Sequence, residues 1–150
     1  MKSLIVVLFL LGWLLPVASA SEPSNNKGTA NLAIQFVDAY NQHDVAAMLN
    51  LVHDDVRYMY INNDEIYTET KDKKALAEFL PEYFKQKPAA QSKVWSNSQA
   101  GPFITQVEQA LWTTADGQAK SQCSLSVYQV QAQQIINIWY HDVFTCPALK

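Results

Sequence analysis

Three side chains late in the chain are of types that move protons: Glu108, His141 and Asp142. Imidazoles and carboxylates are the usual general acids and bases. His141 and Asp142 are neighbours on what reads as a strand, so they point to opposite faces and cannot form a dyad with each other. His141 is left to pair across a hairpin, to line a pocket mouth, or to be an ordinary strand-end histidine. Glu108 shares a strand face with Trp112. A carboxylate enclosed there by apolar groups becomes a usable base; at a strand edge in water it is ordinary. His53-Asp54-Asp55 offers metal-type donors, but it stands where a helix gives way to a strand. His43, ten residues earlier, is not at ligand spacing. Cap and turn roles are expected, with no metal site. No G-x-S-x-G and no glycine-rich phosphate loop occurs, so serine-hydrolase and nucleotide-binding readings have no support, and no cofactor is implied.

A second set could bind rather than react. Tyr58, Tyr60, Trp112, Tyr128 and Trp139 all fall on predicted strands. An aromatic face with a few polar tips suits a small-molecule pocket. The same set also serves as a plain aromatic core or a dimer face. Phe36, on the first predicted helix, joins them as a pocket candidate.

The elements that must position these groups are legible from periodicity. From Leu32 the apolar positions 32, 33, 36, 37 and 40 form one helical stripe, with Thr29 as a candidate cap. Asn41-Gln42-His43 ends it. Asp44 caps a short second helix with Val45, Met48, Leu49 and Val52 inward. Strands are expected over Val56–Ile61 and Glu65–Thr68, joined by the turn Asn62-Asn63-Asp64. A third helix spans Asp72–Lys85, and Pro81 predicts a kink or break in it. Long strands then follow at Gln91–Ala100, Phe103–Thr113, Gln118–Val130 and Gln134–Val143. Helices segregated from an antiparallel sheet define the α+β class.

The amino terminus reads differently. Lys2, the apolar run Leu4–Leu15, Pro16 and Ala18-Ser19-Ala20 make a secretory signal peptide, residues 1–20, cut after Ala20. The run is too short to span a bilayer. Residues 21–28 form a flexible lead-in and 29–146 the domain. The expected location is the periplasm or outside the cell, with no membrane attachment after cleavage. Cleavage removes one basic residue and takes the net charge from −3 to −4. The lysines are scattered and Arg57 is the only arginine, so nucleic acid is excluded as a partner.

Cys123 and Cys146 are an even count in a chain bound for an oxidising compartment, which favours a disulfide. A hairpin turning at Gln131–Gln134 sets Cys123 opposite Asp142. Cys146 is then about 13 Å further along a straight strand, beyond the ~7 Å that a bridge tolerates. Either the tail curls back after Val143, helped by Pro147, or the two are buried thiols.

Phe36-Val37-x-Ala39-Tyr40-Asn41-x-x-Asp44, followed by Met48-Leu49 and Asp54-Asp55-Val56, resembles the opening of the nuclear transport factor 2-like superfamily. That group includes ketosteroid isomerases and SnoaL-like polyketide cyclases. The later strands, ending in Ile138-Trp139-Tyr140, extend the resemblance over about residues 29–145. It implies a curved antiparallel sheet wrapped around three helices, cone-shaped, with an apolar cavity. It also implies a possible homodimer through the sheet's outer face. The isomerases' helix tyrosine falls at Phe36 and their base aspartate at Tyr60. Tyrosine is a poor base near neutral pH, so isomerase chemistry is not expected. The function implied is a pocket for a small hydrophobic ligand, or a dimeric interaction module. The alternative is a SnoaL-like enzyme using Glu108, Asp142 or His141.

Overall fold

The computed structural model describes residues 27–114 and 116–146. The signal peptide with its cut after Ala20, nearly all of the lead-in, and Pro147 lie outside these. The elements run α1 (Lys27–Asn41), α2 (Val45–Asn50), β1 (Val52–Asn62), β2 (Glu65–Thr70), α3 (Lys73–Gln86), β3 (Gln91–Ala100), β4 (Phe103–Thr113), β5 (Ala119–Gln131) and β6 (Gln134–Tyr140).

The stripe on α1 buries Ala33, Phe36 and Val37. The helix starts at Lys27, so Thr29 sits inside it rather than capping it. The break after it uses His43 in the left-handed region, φ 52°, which reverses the chain at one residue. Asp44 then caps α2 by accepting from the Ala47 N–H at 2.9 Å. Val52 is not on that helix. It opens β1, fully buried, beside Ile135. Asp72 caps α3, accepting from the Ala75 N–H at 2.7 Å. The helix runs through Pro81 without interruption. Pro81 faces solvent, while Leu76, Leu80 and Phe84 anchor both halves in the core. Their burial, about 2 kcal/mol each, offsets the ~3 kcal/mol that an interior proline costs.

The strand order is β2-β1-β6-β5-β4-β3. Every neighbouring pair is antiparallel except β1 and β6, which run parallel, Tyr58 beside Ile138 and Tyr60 beside Tyr140. Irregularities at Tyr58/Met59, Val94/Ser96 and Gln129/Val130 interrupt the ladders and bend the sheet. Its inner face closes on the helices through Phe36, Met48, Leu76, Leu80, Ile104 and Ile138. This is the α+β architecture expected, with the helices gathered on one side.

The β5–β6 turn places Ala132 and Gln133 at φ 48° and 63°, the tight two-residue form that suits a twisted hairpin. Beyond it the pairing departs from a straight continuation. It slips by one residue at Gln129/Val130. After Tyr140 the strand ends, rather than reaching Val143, and the tail pairs anew. His141 N–H donates to Leu125 O at 2.9 Å, and Cys123 and Phe144 exchange bonds of 2.9 and 2.8 Å. Cys123 is therefore opposite Phe144, not Asp142. Cys146 lies two residues past its register partner instead of four. The Cα atoms are 5.0 Å apart and the disulfide is formed. Converting both cysteines to serine is expected to lower stability by about 3 kcal/mol, read from urea unfolding. An unchanged midpoint would show that the bridge contributes nothing.

Candidate functional site

Between the inner face of the sheet and the helices lies a cavity of about 440 Å³. Helices α1 and α3 supply much of its wall through Phe36, Val37, Tyr40, Phe79, Leu80 and Tyr83. Tyr58 lies between Phe79 and Tyr140, its ring tilted to both, with centroids 6.1 and 5.6 Å away, and Phe79 is 5.7 Å from Tyr83. The Tyr40 and Tyr83 hydroxyls hydrogen-bond at 3.0 Å. The mouth is marked by exposed residues, Tyr60 and Asn62 of β1 and Asp142 and Val143 of the tail.

Glu108 lies at the inner end. Alternation along β4 turns Ile104, Gln106 and Glu108 inward, and Glu108 is only 4% exposed. One carboxylate oxygen accepts from the Ser126 hydroxyl and from Tyr128 at 2.7 Å. The other accepts from Ser92 at 2.9 Å and Tyr140 at 3.1 Å. Four donors fill the accepting capacity of an ionised carboxylate. None of the ion pairs among the described residues involves it. The register explains the cluster. Glu108 pairs with Ser124 on β5, so Ser126 and Tyr128 follow on the same inward face, and Ser126 in turn sits beside Tyr140.

The phenols around this carboxylate are held neutral. Burial first, then the negative Glu108, pushes Tyr128 and Tyr140 well above the usual phenol range. Tyr58 is raised by burial, then by Tyr83 and Glu108. Tyr40 is raised by burial and by its hydrogen bond to Tyr83. The cavity therefore presents hydroxyl donors and ring faces, with a carboxylate at its base.

Among the aromatic candidates, Phe36, Tyr58 and Tyr60 line the cavity. Tyr128 lies behind the wall, fully buried, its ring 6.1 Å from Phe36 and its hydroxyl on Glu108. Trp112 and Trp139 are corrected: neither is in the lining. Trp139 stands on the outer face beside Met59 and Val127. The one-residue slip at Gln129/Val130 is the cause, because a slip of one turns every later side chain to the other face. Without it Trp139 would sit beside Ser126; with it Tyr140 does. Trp112 does share the inward face with Glu108, but it is one step beyond Ala110, where the cavity ends on β4. It sits opposite Lys120 near the hairpin tip.

The three proton-moving candidates, Glu108, His141 and Asp142, meet in one cavity wall. Asp142 is exposed and accepts from the Asn63 N–H at 3.1 Å, tying the tail to the β1–β2 turn. The His141 carbonyl accepts from the Ser124 hydroxyl at 2.6 Å. Glu108 is enclosed by hydroxyls rather than by the apolar groups expected of it. His53 accepts from the Asp55 N–H at 3.1 Å and Asp54 pairs with Lys73 at 3.6 Å. No group of three metal-binding side chains occurs among the described residues. Sequence reasoning missed Ser92, Ser126 and Tyr140 as partners of Glu108, and Tyr40, Phe79 and Tyr83 as cavity wall. The signal for the first group was the polar alternation Ser124-x-Ser126-x-Tyr128 facing a lone carboxylate. The helical stripes carried none that separates wall from core.

An open sheet curved over three helices, with a cavity between them, is the architecture of the nuclear transport factor 2-like superfamily. The sequence model of the SnoaL-like domain matches residues 33–138, and the chain belongs to that family. No curated protein matches it by sequence. Similar solved structures include an uncharacterised cystatin-fold protein from Novosphingobium aromaticivorans, 16% identical, TM-score 0.64, covering 75% of this chain and 96% of that one. A nuclear transport factor 2-like protein of unknown function from Burkholderia pseudomallei is 12% identical, TM-score 0.66, over 76% and 89%. A hypothetical protein of ketosteroid isomerase-like fold from Catenulispora acidiphila, in complex with trimethylamine, is 8% identical, TM-score 0.64, over 74% and 84%. These likenesses establish the fold.

Proposed function

We propose that this is a binding domain for a small, largely apolar or aromatic molecule, taken up in the cavity between α1, α3 and the sheet. The observation that carries the reading is the cavity itself: about 440 Å³, within the range of small-molecule sites, walled by aromatic rings and furnished with a few convergent polar groups. The Catenulispora protein of similar fold holds a small organic molecule, which agrees with a small-molecule role. Export supplies the setting. The Cys123–Cys146 bridge fits an oxidising compartment, and no described helix is long and apolar enough to cross a membrane.

A second reading, acid–base catalysis, is favoured by one observation, the convergence of Glu108, His141 and Asp142 on the same cavity. It ranks below binding because both Glu108 oxygens are already engaged by hydroxyls, and a base needs a free lone pair within reach of the proton it takes.

The test is a blocked cavity. Naphthol is expected to quench or shift the protein's fluorescence on binding to the wild type. Ala110→Trp, which sets a large ring into the cavity from β4, is expected to weaken it at least about tenfold, a loss of ~1.4 kcal/mol. Equal affinity in a folded Ala110→Trp variant would refute uptake in this cavity.

A further inference from the structure

The polarity of the cavity is one-sided. Glu108 and Asp142 are carboxylates in its wall, and among the described residues no lysine or arginine lines it. His141, at the mouth, is the one lining residue able to gain a positive charge. Lys87 lies 5.3 Å over the Tyr83 ring but is solvent-exposed and outside the lining. The Glu108 charge is met only by neutral hydroxyls. They satisfy its hydrogen bonds without cancelling its field, and that field is screened little in a buried site. The walls reinforce it, since an aromatic ring presents negative potential at its face. An anion entering here meets a carboxylate and ring faces of the same sign. A neutral ligand gains only contact. A cation gains from both.

We propose that the cavity is selective for organic cations: a primary to quaternary ammonium seated among Tyr58, Phe79, Tyr83 and Tyr140, in the field of the Glu108 carboxylate, on an apolar or aromatic body. The inference rests on the small-molecule reading above and deepens it by naming the ligand's charge. The neutral state of the tyrosines agrees with it. Burial and Glu108 together hold Tyr58 and Tyr140 protonated, so the site resists adding phenolate charge to that of its carboxylates. Glu69 acts on Tyr58 in the same sense.

Three probes of one shape separate charge from fit: phenyltrimethylammonium, its neutral isostere tert-butylbenzene, and the anion benzenesulfonate. Binding to the folded wild-type domain is followed by chemical-shift titration. The ammonium is expected to bind at least about tenfold more tightly than tert-butylbenzene, and benzenesulfonate more weakly than either. Two variants then probe the source. Glu108→Gln removes the charge, and Phe79→Leu removes a ring face while keeping the wall apolar. Each is expected to cut the preference for ammonium over isostere severalfold. Phe79→Leu keeps the test decisive if Glu108→Gln does not fold. Equal binding of ammonium and isostere to the wild type overturns the charge selectivity and leaves the cavity reading intact. An ammonium preference unaltered in both variants overturns this assignment of its source. If none of the three binds, the cation inference falls, and the naphthol experiment separately decides whether the cavity binds anything.

Discussion

Glu108→Leu is expected to lower the folding stability by about 3 kcal/mol, and Glu108→Gln by about 1 kcal/mol. Leucine leaves Ser92, Ser126, Tyr128 and Tyr140 without their common acceptor. Two of the four recover part of the loss, because the Tyr128 and Tyr140 hydroxyls are already 3.0 Å apart and can bond each other. The serines have poorer substitutes. Removing a buried charge also relieves its desolvation, and that relief keeps the net loss near the cost of two or three unmade bonds rather than four. Glutamine keeps the volume and one carbonyl acceptor, and the hydroxyls can rotate to accept from its amide. If the cluster acts as a unit, adding Ser126→Ala and Tyr128→Phe to Glu108→Leu restores much of the loss, since apolar partners then face one another. Urea unfolding of the set measures this. A Glu108→Leu domain as stable as the wild type would mean that the four bonds contribute no net stability.

The second large effect is alkaline. Tyr58, Tyr128 and Tyr140 are all held neutral well above the pH where an unfolded tyrosine ionises, near 10, with burial the leading cause in each. The folded pKa is raised, so the stabilisation is fully present below pH 10 and is lost as pH climbs beyond it. There the unfolded chain releases protons that the folded one retains, and unfolding is favoured. Three such groups together cost about 4 kcal/mol per pH unit above 10. Tyr40 acts in the same direction. With Tyr40 included, stability is therefore expected to be about 5 kcal/mol lower at pH 11 than at pH 9. Denaturant unfolding at the two pH values reads it. Tyrosinate absorbance from the buried phenols should rise together with the loss of structure, not before it. Substituting Tyr58 by phenylalanine should reduce the slope by about a quarter. A stability that is flat across this range contradicts the buried, neutral phenols.

Much of the architecture was legible because its determinants are local. The stripe at 32, 33, 36, 37 and 40 specifies the face of α1, and Asp44 announces α2 through a cap that the structure contains. Glu108 stood out as a carboxylate on the same strand face as Trp112, with enclosure and an edge position in water both open. What was not legible depends on register. Whether Trp139 or Tyr140 faces inward is decided by a single extra residue, Ile136 on β6 opposite the Gln129–Val130 step, and its residue type does not announce it. The same slip, with a second shift between Ser126 and Cys123, brings Cys146 within reach of Cys123, which a straight strand forbids. Pro81 misled for a related reason. A local rule against proline in helices was overridden by tertiary burial on the opposite side of α3.

The parallel pairing of β1 with β6 has a consequence for the order of folding. β1 lies before α3 and β6 is the last strand, yet they are neighbours near the middle of the sheet, Val52 beside Ile135 and Tyr60 beside Tyr140. β1 and β2 are thus joined to β5, β4 and β3 only through β6. Until the chain through Tyr140 is available, the first hairpin and the later meander are two unjoined fragments, each with an open edge. Such long-range pairing places the domain among slow folders. It also makes folding all-or-none, with β6 as the keystone, so that a chain lacking its final strand has no smaller sheet in which all the other strands are joined.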